Sequence, residues 1–199
     1  MALTIHGSPR SRTMRVLWMA AEVGVAFEHD PIAFDDPALK SEAFLALNPA
    51  GAIPTFEDAD FALPESLAIN LYLAKRYSLG RLYPTSLEDE AQVWRWSLWA
   101  QGQLEPWVMR DALLPRVRAA LAPYAGPLIA AALATLGRAL AGRSWLLGEA
   151  FSVADLNVAA VLSPSRTAAI DLTPYPGVAA WLVRCYSRPA AVEARRRYG

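Results

Sequence analysis

The feature that most constrains the fold of this 199-residue chain is a change in hydrophobic periodicity near residue 79. Before that point, short apolar segments typical of strands alternate with segments of helical period, in the order strand–helix–strand and then helix–strand–strand–helix. The first part requires a crossover between parallel strands, and the second part contains an antiparallel hairpin. We therefore predict an α/β region with a mixed four-stranded sheet covered by helices.

After residue 86 no strand pattern remains, and the sequence predicts only helices. We assign one domain to residues 1–78, an all-α helical-bundle domain to residues 86–199 and a linker to residues 79–85. Inside the helical domain, the uncharged stretch 119–137 contains two prolines and many alanines. This composition favours a turn followed by a buried helix over a membrane span.

The charge balance and the cysteine content exclude several classes of protein. The chain has 19 basic and 19 acidic residues and a net charge of zero, whereas phosphate-backbone binding normally needs a basic excess. The single cysteine, Cys185, allows no internal disulfide, and the two histidines, His6 and His29, have no companion cysteines at metal-ligand spacing. The first residues also lack the pattern of a signal peptide. We expect a cytoplasmic protein that binds no nucleic acid, no membrane and no metal.

The first of three local features is the polar loop 7–16, which leads into the first helix. Ser11 or Thr13 fits the N-cap of that helix. A hydroxyl here can instead donate a hydrogen bond to a bound thiolate, which is worth about 1.5–3 kcal/mol and lowers a thiol pKa by roughly one to two units. Since the loop contains no Asp or His to act as a base, Ser11 is a poor candidate for a covalent nucleophile.

The second feature is the segment 48–56, which reads Asn-Pro-Ala-Gly-Ala-Ile-Pro-Thr-Phe. A proline at position 54, just before a predicted hairpin, fits an ordinary turn. If the Ile53–Pro54 bond is cis, however, the bend exposes the backbone N–H and C=O of Ile53 together. An exposed main-chain pair of this kind can bind an extended peptide as an added strand would.

The third feature is Pro64-Glu65-Ser66 at the start of an amphipathic helix. A serine at this place fits a simple N-cap. A helix start also offers free N–H groups and a partial positive charge to a carboxylate, and Glu65 beside it can hold an amine. Together these groups suit the zwitterionic head of an amino acid or of a γ-glutamyl group.

In combination and in this order, the three features resemble the glutathione site of the cytosolic glutathione transferases. Ser11 stands four residues before an arginine, which resembles the serine-type theta and phi classes, and segments 48–54 and 65–69 are similar to the family pattern. The resemblance extends into the helical half, where Ser152 and Asp155 have the spacing of the family's buried capping box. It implies a thioredoxin-like N-terminal domain followed by a helical C-terminal domain.

Carried over residue by residue, the resemblance implies a role for each position. Ser11, with Ser8 as a rival, would stabilise the thiolate of glutathione. The residues implied to bind the rest of glutathione are Lys40, Ile53, Pro54, Glu65 and Ser66. Ile53 would bond the cysteinyl main chain, and Lys40, for which a solvated loop lysine is the alternative, would face the glycine carboxylate. Trp107, Met109 and Leu113 would line the electrophile site, although ordinary helix core is the alternative for each.

The same resemblance implies an activity and a partner. Glutathione would be the co-substrate, and its thiolate would be conjugated to electrophilic, largely apolar small molecules, as in detoxification. Members of the family are usually homodimers, so we expect a homodimer. Two alternatives stay open: a non-catalytic glutathione-binding or interaction module of the same fold, and a glutathione-dependent isomerase or dehalogenase.

Overall fold

The structure is a computed structural model that describes residues 3–109, 115–168 and 170–199. Its contacts divide the chain into two compact units, Met1–Tyr83 together with Arg188–Gly199, and Pro84–Ser187. The boundary between the units lies inside the segment that the sequence analysis assigned to a linker. The C-terminal residues, by contrast, belong to the first unit rather than to the predicted second domain.

The first unit is built on a four-stranded sheet with the strand order β2-β1-β3-β4. Strand β1 pairs in parallel with β2 and antiparallel with β3, and β3 pairs antiparallel with β4. The predicted mixed sheet is therefore confirmed. The strands are β1 (Leu3–His6), β2 (Phe27–Asp30), β3 (Thr55–Asp58) and β4 (Phe61–Pro64). His6 on β1 contacts both neighbouring strands, because its ring nitrogens lie 2.9 Å from Asp30 Oδ2 on β2 and 2.6 Å from Glu57 Oε1 on β3.

Helices cover this sheet, and their ends follow local sequence signals. The helices of the first unit are α1 (Thr13–Val23), α2 (Glu42–Leu47), α3 (Ser66–Tyr77) and, at the end of the chain, α10 (Pro189–Tyr198). Val16, Leu17 and Ala20 of α1 are fully buried and form part of the apolar face of this helix. Gly24 ends α1 at φ 71°, a left-handed conformation that glycine adopts without steric cost.

Helix α10 belongs to the first unit because it is fastened to α1. Arg188 donates two hydrogen bonds of 2.8 Å to the carboxylate of Glu22. The same carboxylate accepts a hydrogen bond of 3.0 Å from the indole N–H of Trp18. At the other end of α10, the ring of Tyr198 lies edge-on to that of His29 at 5.1 Å. These contacts are the physical reason why the predicted domain boundary at the C-terminus differs from the structure.

The β3–β4 hairpin is tied to α3 by the partly buried carboxylate of Asp58. Asp58 Oδ2 accepts hydrogen bonds of 2.6 Å from the hydroxyls of both Tyr72 and Tyr77. These bonds hold the pKa of the Asp58 carboxyl below its ordinary value. Burial and the bond to Asp58 raise the pKa of Tyr72 to about 12. The hairpin is thus held in a fixed position against the helix that follows it.

The described part of the second unit is helical, as predicted. Its helices are α4 (Leu87–Trp99), α5 (Glu105–Val108), α6 (Pro115–Ala139), α7 (Val153–Val161), α8 (Pro164–Thr167) and α9 (Pro176–Tyr186). Helix α7 is buried along its whole length and forms the centre of the unit. A π-helical turn, Ala100–Leu104, separates α4 from α5, and Pro106 lies in the first turn of α5. A widened turn therefore interrupts the α-helical path just before Pro106.

Helix α6 differs from its prediction in two ways. It continues through Pro123 and Pro127, where the sequence predicted a turn, since the φ of proline is already helical and each ring removes only one backbone N–H. It is also mostly exposed: 22% of its most apolar window is buried. By length and composition α6 can cross a membrane, but a single helix of this kind is weak support for a span. Among the described residues of α6, Ala125, Ala132, Leu133 and Leu136 are buried, so the predicted burial holds mainly in the second half of the helix.

Candidate functional site

Strand register brings the three sequence features to one end of the sheet. Thr55, the first residue of β3, pairs with His6 at the end of β1 and with Pro64 at the end of β4. The loop that follows β1, the residue Pro54 and the residue Glu65 are therefore neighbours. The Ile53–Pro54 peptide bond is cis.

The loop after β1 carries a cluster of hydroxyl groups. The Ser11 hydroxyl donates to the carbonyl of Ser8 at 2.7 Å, accepts from the backbone N–H of Thr13 at 3.1 Å and lies 2.9 Å from Thr13 Oγ1. Arg12 is the N-cap of α1 and makes no side-chain cap bond, so the interpretation of Ser11 or Thr13 as the N-cap is wrong. Because a hydroxyl proton rotates freely, Ser11 can turn from the Ser8 carbonyl toward another acceptor. The Ser8 hydroxyl makes a longer contact, accepting from the N–H of Arg10 at 3.4 Å.

Gly7 lets this hydroxyl cluster approach the cis-proline segment. Its φ is 135°, and a Cβ at this position would lie 2.1 Å from Thr13 Oγ1 and 2.9 Å from Ile53 Cβ. No side chain fits in that space, so glycine is required where the two segments meet. The hydroxyl cluster and Ile53 consequently face each other across Gly7.

The buried side chain of Asn48 fixes the cis-proline segment by hydrogen bonds. Its Nδ2 donates to the carbonyl of Ala52 at 2.8 Å and to Thr55 Oγ1 at 3.0 Å, while its Oδ1 accepts from the N–H of Ala50 at 3.0 Å. Among residues 3–109, by contrast, no hydrogen bond is made to the N–H or C=O of Ile53. The segment is therefore rigid, and the main chain of Ile53 is available to a ligand.

The start of α3 combines an unusual backbone conformation with a buried charge. Glu65 is exposed and has φ 73° and ψ 107°, a region that a residue other than glycine seldom occupies and that is often found at functional sites. Glu65, not Ser66, is the N-cap, so the simple-cap interpretation of Ser66 is wrong. Ser66 Oγ instead accepts from Arg15 Nη1 at 3.4 Å.

Arg15 is the site residue that sequence reasoning missed. In the sequence, Arg15 marks a spacing of four residues from Ser11, and it is also the single charge in the apolar run 14–21 of α1. Arg15 is 3% exposed, and its guanidinium lies beneath the first turn of α3. A permanent positive charge there adds to the positive end of the helix dipole, so this turn favours an anion.

Lys40 lies beside the cis-proline segment and already has partners. Its ammonium donates to the carbonyls of Ala50 and Gly51, each at 3.0 Å. Gly51 has φ 55°, and a Cβ there would lie 2.5 Å from the carbonyl of Leu39. Two of the three N–H donors of Lys40 are therefore used to hold the loop, and one remains for a ligand.

The three residues predicted for the electrophile site belong to a different part of the chain. Trp107 lies in α5 and Met109 follows it, and both are half-buried in the second unit. Leu113 lies outside the described residues. In the described part of the chain, no group of three acidic, histidine or cysteine side chains is arranged to hold a metal ion.

The fold and the site together define a thioredoxin-like domain joined to an all-helical domain, and family models match both. The glutathione S-transferase N-terminal domain matches residues 1–75, and the glutathione S-transferase C-terminal domain matches residues 110–184.

Curated proteins and solved structures agree with these matches. The chain is 31% identical to glutathione S-transferase PARB of Nicotiana tabacum over 97% of both chains, and 32% identical to glutathione S-transferase 3 of Zea mays over 94% of this chain and 90% of the relative. It is also similar to the theta class glutathione S-transferase of Xanthomonas axonopodis pv. citri, solved with glutathione bound, with 28% identity, a TM-score of 0.84 and coverage of 97% and 96%. The chain belongs to the glutathione S-transferase family.

Proposed function

We propose that this chain is a glutathione transferase whose first unit binds glutathione and activates its thiol with a serine hydroxyl. The observation that carries the proposal is the meeting of a hydroxyl cluster, an open main-chain pair and an anion-binding helix start at one end of the sheet. The bound glutathione of the Xanthomonas relative supports the same ligand here. The second unit would contribute the electrophile site, with a largely apolar electrophile against Trp107 and Met109.

Glutathione would lie along the segments that converge at this end of the sheet. Its γ-glutamyl carboxylate would accept hydrogen bonds from the first N–H groups of α3, with the charge of Arg15 below, and its amine would pair with Glu65. The cysteinyl main chain would bond the N–H and C=O of Ile53. The glycine carboxylate would reach the remaining N–H of Lys40. These contacts hold the sulfur beside Ser11 and Ser8.

The protein would accelerate conjugation by holding glutathione in position and by stabilising its thiolate. A thiol has an ordinary pKa of about 8.5, so only a few per cent of it is ionised at neutral pH. A hydrogen bond from Ser11 to the sulfur, worth about 1.5–3 kcal/mol, lowers that pKa by roughly one to two units. The thiolate then attacks the electrophile without a covalent protein intermediate.

The variant Ser11→Ala tests this activation. We expect the thiol pKa of bound glutathione to rise by roughly one to two units, and the conjugation rate at neutral pH to fall about tenfold or more, with glutathione binding largely kept. Ultraviolet titration of the bound thiolate measures the pKa. The matched variant is Ser8→Ala. An unchanged pKa in Ser11→Ala with a raised one in Ser8→Ala would transfer the role to the rival serine.

The variant Glu65→Gln tests recognition of the amino group. It keeps the size of the side chain but removes the charge, so we expect the dissociation constant of glutathione to rise about tenfold or more. Isothermal titration calorimetry measures it. Glu42→Gln, an exposed glutamate on α2, is the control and should leave the constant unchanged. Equal affinities of Glu65→Gln and the parent protein would remove Glu65 from the site.

The two alternative activities are separated by following glutathione itself. A protein that is retained on immobilised glutathione, but consumes no thiol with any electrophile in a conjugation panel, would be a binding module. An isomerase would turn over its substrate and return glutathione unchanged. Stoichiometric loss of thiol with formation of a thioether is the result that we expect.

We also propose that the protein is a cytoplasmic homodimer that associates through α4. Leu87, Trp94 and Leu98 are large, apolar and exposed, and their spacing puts them on one face of the helix together with Ala91. Burial of such a face against a second copy follows from the hydrophobic effect.

The double variant Trp94→Glu/Leu98→Glu tests this interface. Two charges on the apolar face should shift the protein from dimer to monomer in sedimentation-velocity experiments. Val183→Glu, which changes an exposed apolar residue of α9, is the control and should remain dimeric. A parent protein that sediments as a monomer, or a double variant that stays dimeric, would contradict the proposal.

A further inference from the structure

A separate cavity lies wholly within the helical unit. Its volume is about 500 Å³, and it is bordered by one face of α4, the last turns of α6 and the loop that follows α6. The residues of its wall that matter here are Asp89, Arg95, Trp96, Arg138, Arg143 and Leu146. None of them belongs to the candidate glutathione site.

The cavity is lined by arginines whose charges are not balanced by carboxylates. Arg95 lies over the ring of Trp96 at 4.4 Å, and its Nη1 donates to the neutral amide oxygen of Gln92 at 3.1 Å. Arg138 Nη2 donates to the neutral hydroxyl of Thr135 at 3.1 Å. In the part of the chain that the structure describes, none of the three arginines forms an ion pair with a carboxylate.

The cavity also contains one acidic side chain, which is occupied elsewhere. The Asp89 carboxylate accepts a hydrogen bond of 2.8 Å from the Ser86 hydroxyl at the start of α4. Three guanidinium groups, which stay charged at any working pH, and one carboxylate leave two uncompensated positive charges around the cavity. In a chain of zero net charge, this is a local concentration of positive charge that a dianion would neutralise.

We propose that this cavity binds a small phosphomonoester. Guanidinium groups present planar pairs of N–H donors that match phosphoryl oxygens, and a phosphomonoester carries the two negative charges that the cavity lacks. The volume is within the range of about 300–1,000 Å³ that small-molecule sites occupy, so it holds a phosphate with an organic group. Leu146, Leu147 and Ala139 supply an apolar wall for that group.

The site remains accessible if the protein dimerises through α4. Successive residues of an α-helix are rotated by about 100°, so Trp96, on the wall of the cavity, points about 200° away from Trp94. Gln92 lies on the cavity side as well, whereas Leu87, Trp94 and Leu98 form the opposite face. The phosphomonoester site and the proposed dimer interface therefore use different sides of the helix.

Phenyl phosphate is the probe that tests this site. Calorimetric titration at low ionic strength, with glutathione in excess so that the first-unit site is filled, should detect its binding, and phenol, the neutral analogue, should not bind. The double variant Arg138→Gln/Arg143→Gln should weaken binding at least about tenfold, because two charge-assisted contacts are lost. Arg138→Lys should have a smaller effect, since it keeps the charge and loses only the paired donors.

Arg116→Gln is the matched control, because Arg116 is an exposed arginine at the other end of α6, outside the cavity. It should bind phenyl phosphate as the parent does. Thermal unfolding of all variants checks that the exposed substitutions leave the fold intact. Absence of phenyl phosphate binding to the parent, equal binding by the double variant, or equal weakening by Arg116→Gln would overturn the proposal.

Discussion

Asp155→Ala is expected to lower the free energy of unfolding by about 4 kcal/mol, because it leaves several buried donors without an acceptor. Asp155 is fully buried, and its carboxylate accepts from the N–H of Leu146 and the indole N–H of Trp181, both at 2.9 Å. It also accepts from the N–H and the hydroxyl of Ser152, at 3.0 and 3.1 Å. One side chain thus joins the start of α7, the loop before it and α9.

The loss of stability in Asp155→Ala is limited because the native carboxylate is itself costly to bury. Burial raises the pKa of Asp155 above its ordinary value, while the hydrogen bonds from Leu146, Trp181 and Ser152 act in the opposite direction. Each unsatisfied buried donor costs about 1–3 kcal/mol, and removal of the buried carboxylate offsets part of the total.

Denaturant unfolding measures the loss of stability in Asp155→Ala, and two further variants serve for comparison. Asp155→Asn keeps one acceptor oxygen and should lose less stability than Asp155→Ala. Asp171→Ala removes an exposed aspartate that accepts from the N–H of Thr173 at 2.9 Å, and should leave the free energy of unfolding nearly unchanged. A similar loss for Asp155→Ala and Asp171→Ala would refute the role of the buried carboxylate.

Arg188→Ala should lower the free energy of unfolding by about 3 kcal/mol, since it leaves the Glu22 carboxylate buried and without its cationic partner. The Glu22 side chain is 4% exposed, so water cannot replace the guanidinium. The remaining bond from Trp18 is a single neutral donor. We expect α10 to detach from α1, and limited proteolysis should then cleave near the C-terminus before the rest of the chain.

Arg196→Ala is the control for this prediction. Arg196 pairs with Glu193 through two bonds of similar length, 2.7 and 2.8 Å, but the two side chains are 71% and 51% exposed. Solvent screens the charges of an exposed pair, so this variant should unfold almost as the parent does. If Arg188→Ala and Arg196→Ala have the same effect, burial is not what gives the Arg188–Glu22 pair its strength.

Sequence reasoning succeeded where the signal is local. The start of α3 beside Glu65 and the strands of the sheet follow from the apolar spacing within each segment. The capping box of Ser152 and Asp155 was likewise readable from the two residue types and their spacing.

It failed where the outcome depends on contacts that are distant in sequence. Arg188 and Glu22 are 166 positions apart, so no local pattern joins α10 to the first unit. The burial of Arg15 under α3 depends on a contact across 51 positions. The prolines of α6 misled the prediction for a different reason: a break in a helix is favoured by proline but is not obligatory, because solvent satisfies the freed carbonyls of an exposed helix.

The pairing of α10 with α1 has a consequence for synthesis of the protein. The first unit is discontinuous, because residues 188–199, which complete it, follow the whole helical unit in the sequence. During synthesis, the first unit therefore lacks α10 until the whole helical unit has left the ribosome. A truncation that removes α10 would therefore remove part of the unit that contains Ser11 and Glu65, although α10 is remote from both residues in sequence.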